Sequence, residues 1–197
     1  MENTKLSEAQ SLELITSMIQ DSRKRLAQNS GTPFLVWGYI TVAISVFEYF
    51  VAANGWSYLW AWAWFAIPLL GWPAMMLAIR KQEKGAKNHI DRTISAIWCV
   101  LGVATLFLYL LAVAYGVSLL SLVVLTMGIG TLMTGIILRD NATKCCGGFA
   151  LIASAIFPLM HLFKCGEPAT EILIFAAIFF VMMVVPGHIL NYKTQKR

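Results

Sequence analysis

The sequence predicts an all-α protein: an integral membrane bundle of six transmembrane helices, set out as three antiparallel hairpins, behind an N-terminal cytoplasmic amphipathic helix. Three observations carry this. Six apolar runs come close to the roughly 20 residues that a helix needs to cross about 30 Å of hydrocarbon. Of the 15 Lys and Arg residues, all but Lys164 fall on one side of the resulting pattern. The chain is 58% hydrophobic and 13% charged, where soluble domains carry about 25% charged residues.

Residues 1–33 are too polar for a signal peptide, whose apolar core comes early. They read as an amphipathic helix: Ser7 with Gln10 offers a capping box, and Leu12, Ile15, Ile19 and Leu26 share a face with Met18 beside them. Asn29, Ser30, Gly31 and Pro33 are expected to end it. Thr32 then caps the first span, with Pro33 at its first helical position.

The transmembrane domain is expected over 34–190, with spans at 34–53, 57–79, 93–115, 118–138, 146–163 and 171–190, followed by a basic tail at 191–197. Ser57, Ser118 and Thr170 stand at N-cap positions on the outer side, and Gly55 and Gly116 serve the tight reversals. Trp56, Trp60 and Trp64, with Tyr58 and Trp62 between them, form an aromatic belt at the outer interface. The fifth span is the shortest, and Pro158 interrupts it.

Orientation follows from the loops, because short cytoplasmic connections carry an excess of Lys and Arg. The N-terminal segment, the second and fourth loops and the tail hold the basic residues, so both termini are expected in the cytoplasm of an inner membrane. Arg23, Lys24 and Arg25, with Arg80 and Lys81, are candidate contacts to an anionic inner leaflet. Nucleic acid is not an expected partner: Glu8, Glu13 and Asp21 interrupt the positive charge of the first helix, and no second helix completes a helix-turn-helix unit.

Within the bundle, ionisable residues are costly and mark candidate sites. Glu48 is the carboxylate inside a span. It lies roughly 21 Å along the first span from Phe34, and His161 about 22 Å along the fifth from Cys146, at 1.5 Å per residue. Glu48, His161 and Lys164 could therefore form a polar cluster in the outer half of the bundle, either relaying protons or only ordering helices. Pro68, Gly71 and Pro73 mark a candidate helix break in span two, of the kind that forms binding sites in transporters. Gly128, Thr131 and Gly135 are a candidate packing face on span four, within the bundle or in a dimer.

The four Cys residues, at 99, 145, 146 and 165, have no metal-type spacing, and no metal or cofactor is expected. There is no phosphate-binding loop, no His-Glu-x-x-His and no nucleophile elbow, so no catalytic residue is assigned and an enzyme is not expected.

Ser11-Leu12-Glu13-Leu14-Ile15 with Met18-Ile19, then Leu35-Val36-Trp37-Gly38, and finally Pro186-Gly187-His188-Ile189-Leu190-Asn191 carry a resemblance. With them the chain resembles an uncharacterised family of small bacterial multi-pass inner-membrane proteins. The resemblance implies location and outline, and no activity. The function expected from the residues is a non-catalytic membrane module that offers its basic face and amphipathic helix to a cytoplasmic protein or to the inner leaflet. The alternative is a small transporter or oligomeric channel built on Glu48, His161 and the second span.

Overall fold

A computed structural model describes residues 8–81, 89–115 and 119–195. All regular structure among them is helical, and five helices are long and apolar enough to cross a membrane: Gly31–Ala53, Arg92–Leu111, Leu119–Leu138, Asn141–Leu162 and Pro168–Lys193. Ser7, Lys84, Lys87, Gly116, Ser118 and the last two residues lie outside the described set, as do the side chains of Arg23, Lys24, Arg25, Arg80 and Lys81.

The first helix, α1, runs unbroken over Glu8–Ala53 with Pro33 inside it. This corrects the expected end at 29–33. A proline inside a helix removes one N–H and crowds the carbonyl four residues earlier, here that of Asn29. That turn stands at the expected membrane boundary, where water or neighbouring helices can satisfy the freed group. Gly31 is also tightly packed: a Cβ there would overlap the Asn191 side chain and lie 2.9 Å from the Gly187 carbonyl oxygen.

From Gly31 to Glu48, the buried positions of α1 are Gly31, Phe34, Gly38, Thr41, Ser45 and Glu48, with Val51 buried one turn further on. Their spacing alternates three and four, the seam of an antiparallel or parallel helix pair. The partner is the last span, made of α7 (Pro168–Phe179), a π-helical segment (Phe180–Val184) and α8 (Val185–Gln195). Gly31 meets Gly187 and Asn191, whereas Gly38 meets Met183 and Val184, so the two helices run antiparallel. At Gly38 a Cβ would lie 2.9 Å from Val184 Cγ2, which is why a glycine faces the π-helical bulge.

Span two is not one α-helix. Tyr58–Phe65 is 3-10 helical, and α2 covers Ala66–Lys81. Pro68 cannot donate to the carbonyl of Trp64, and the change from tight to regular winding falls at that turn. The apolar stretch Trp62–Ala78 is shorter than the five long ones.

α3 (His89–Tyr115) docks on α4 (Leu119–Leu138) through two polar links. Trp98 Nε1 donates to Thr134 Oγ1 at 3.2 Å, and Thr105 Oγ1 to Thr126 Oγ1 at 3.1 Å. The rest of α3 shows Val100, Val103, Leu106, Phe107 and Leu110 outward, an apolar face suited to lipid.

Span five begins at Asn141, not Cys146, because Asp140 caps it. It is split into α5 (Asn141–Ala153) and α6 (Ile156–Leu162). Pro158 explains the split: it has no N–H for the Ser154 carbonyl, which instead accepts from Ser121 Oγ of α4 at 2.9 Å. α4 and α5 pack most closely of all neighbours in sequence, and α1 packs mainly against the last span. The core around Val124, Ala150, Phe157, Phe175, Phe179 and Met182 lies where these four elements meet.

Candidate functional site

Glu48 owes its position to the seam. It sits one turn beyond Ser45 on the face of α1 turned toward the bundle, and its side chain is buried at 4% exposure. Ser45 and Thr41, below it on the same face, are also buried; the Ser45 hydroxyl donates to the Thr41 carbonyl at 2.7 Å. Glu48 Oε1 has no hydrogen-bond partner.

The expected cluster does not assemble. His161 lies exposed on α6, a helix that packs on α4 rather than on α1. Lys164 is exposed in the following turn, in a left-handed conformation with φ 52°. Span five is not a main neighbour of span one, since α1 gives its inward face mainly to the last span.

The Pro68–Gly71–Pro73 element changes the winding of span two at Pro68 but opens no gap at Gly71 or Pro73. Pro73 lies inside α2, and both prolines point outward. Gly71 is buried because the Trp37 ring lies on it: a Cβ there would be 2.7 Å from Trp37 Cη2. This is a packing contact between α1 and α2.

The Gly128–Thr131–Gly135 face is occupied within the chain. A Cβ at Gly135 would lie 2.6 Å from the Lys144 nitrogen, and one at Gly128 would lie 3.2 Å from Ala150 Cβ. Thr131 is fully buried and donates to the Met127 carbonyl at 3.0 Å. α5 covers this stripe, so a dimer through it would require the hairpin to open.

One charged site escaped the sequence reading. Asp140 Oδ2 accepts from the Thr143 N–H at 2.9 Å and from its hydroxyl at 2.7 Å, while Oδ1 is paired with Lys193 of α8. Burial works against the charged form, yet the bonds from Lys193 and Thr143 outweigh it and hold the carboxyl below its ordinary value. The signal was present as Asp140 three residues before Thr143, a capping pattern. Its pull is weak in the linear chain because the apolar run begins only at Cys146. The bonds tie the α4–α5 turn to the end of the chain.

On the other side of the bundle, Tyr39 and His188 share a 2.7 Å hydrogen bond, linking α1 to α8 again. Between α3 and α4 a groove of about 350 Å³ is lined by Thr93, Ile97, Val100, Leu101, Ile129 and Met133. Its lining surface is apolar and offers no group for chemistry. Among the described residues no three His, Cys, Asp or Glu side chains gather to hold a metal ion.

Toward its N-terminal end, α1 exposes apolar side chains. Leu12 is 65% exposed and Leu14 is 46% exposed on this stretch. Compared with protein-family models, with curated proteins and with solved structures, the chain matches none.

Proposed function

We propose that this chain is a non-catalytic membrane module with six spans, Trp62–Ala78 completing the second, whose first helix projects into the cytoplasm and docks a soluble protein. The observation that carries this is the unbroken course of α1 over Glu8–Ala53. At 1.5 Å per residue, Leu12 lies about 33 Å beyond Phe34 along one axis, past the headgroups of the leaflet. Arg23, Lys24 and Arg25 lie only about 14 to 17 Å from Phe34, at headgroup depth. The basic residues thus suit the inner leaflet, and the apolar stripe at Leu12, Ile15 and Ile19 suits a protein.

The transporter reading has less support, since Glu48, His161 and Lys164 stay apart and Pro73 does not break its helix. Site-specific photo-crosslinking from position 12 in intact cells tests the docking role. A cytoplasmic protein is the expected adduct, lost in Gln20→Pro, which interrupts the helix between stripe and bundle. Adducts to lipid alone would remove the docking role.

A further inference from the structure

Glu48 is an anomaly that the docking role does not use. Its carboxyl is buried at 4% exposure and Oε1 lacks any hydrogen-bond partner. Gly38 lies against Met183 and Val184, so in the antiparallel pair Glu48, about 15 Å further along, comes level with Leu173 and Ile174, within a turn of Phe175. Phe175 in turn meets Trp64 at 5.6 Å between ring centroids. These surroundings are apolar and aromatic. A buried ionised carboxylate needs a counter-charge or several donors, and among the described residues no ion pair reaches Glu48 and no donor reaches its Oε1.

The charged and titratable groups near this seam begin with Tyr49, next to Glu48 on α1, and with α3, whose Trp98 meets Phe34: it carries His89, Asp91 and Arg92 at its start and Cys99, Tyr109 and Tyr115 along its length. α7 contributes Glu171, whose carboxylate lies against Gly166, and the 3-10 segment contributes Tyr58. α2 offers Arg80 and Lys81, and α8 offers His188, Tyr192 and Lys193, all toward the opposite end of the bundle. α4 has none. Tyr39 and His188 bond each other, and Lys193 is taken by Asp140.

We propose that Glu48 is a proton-binding site: its carboxyl lies in the seam between α1 and the last span as the neutral acid, and the proton is the ligand that lets the seam close. The proton on the carboxyl removes the need for a counter-ion. Loss of that proton leaves a bare carboxylate in a buried, apolar stretch of the seam, and the seam must then open to water or a cation. The proposal rests on a different observation from the docking role and stands or falls separately.

The test uses the full chain in lipid nanodiscs at neutral pH in sodium-containing buffer. Infrared difference spectra, wild type minus Glu48→Gln, are expected to show the carbonyl band of a protonated carboxylic acid, moving in heavy water. Gln has nearly the shape of the neutral acid, so the seam should close in the variant. A lipid-soluble carbodiimide gives a second reading that needs no variant. The acid O–H adds across one C=N bond of the reagent and the adduct rearranges to the N-acylurea with nothing leaving, so the peptide bearing Glu48 gains the full reagent mass. Adduct at Glu48 supports the site. A difference spectrum with only carboxylate bands overturns the proposal, as does labelling that appears only after sodium is withdrawn, which would mean a bound cation.

Discussion

Two residues decide local structure beyond their size. Ser121 reaches across from α4 to the Ser154 carbonyl that Pro158 leaves free. Ser121→Ala should cost about 1 to 2 kcal/mol, the penalty of an unsatisfied buried acceptor, measured by thermal unfolding in detergent. Asp140 caps α5 and holds Lys193. Its folded-state value is depressed, so its contribution is complete above the ordinary carboxylate range and is lost as pH falls through the lower folded value. Asp140→Asn keeps an oxygen that caps α5 and loses only the charge, so it should destabilise by about 0.5 kcal/mol at neutral pH, because Lys193 is half exposed and its pair is screened. Asp140→Ala, which also loses the cap, should cost about 1 kcal/mol more. Melting curves of the wild type and Asp140→Asn should converge in acid. Pro158 was legible as an interruption, but its remedy was not: a hydroxyl 37 positions away gives no pattern in the linear chain. Likewise Glu48 was legible as an intramembrane acid, whereas its separation from His161 depends on which helices become neighbours.

At the scale of elements, α1 holds the largest difference between expectation and structure. Gly31 and Pro33 are poor helix residues in water, and propensity places an end there. The structure keeps the helix because the last span fits against Gly31 and Gly38. Such close approach is what small residues provide where lipid gives little drive for association. Gly38→Leu should destabilise by about 2 to 3 kcal/mol or more, since a Cβ already meets Val184 and Met183. The α4–α5 pair was more legible, because small residues at Gly128, Thr131 and Gly135 share one face. Composition could not say whether that face turned inward or toward a second copy. The 3-10 winding of Tyr58–Phe65 was hidden in a run of Trp and Ala that reads as an apolar helix.

For the whole molecule, apolar run length gave five of the long helices to within a few residues, except where Asp140 extended the fifth. Length alone says nothing of which face of a helix meets which neighbour, and the sequence left the pairing of α1 with the last span open. The proposed orientation rests on the Lys and Arg bias. With single cysteines in intact cells, a membrane-impermeant maleimide should label Cys165 and leave Cys145 untouched; the reverse would invert the topology. In the proposed arrangement, α1 carries its apolar stripe clear of the bilayer. A spin label at position 12 of the protein in nanodiscs tests it most directly. Relaxation by a water-soluble paramagnet, with little effect of dissolved oxygen, is expected, while a label at position 25 reports headgroup depth. A label at position 12 relaxed chiefly by oxygen, at acyl-chain depth, would contradict it and return this helix to the membrane surface.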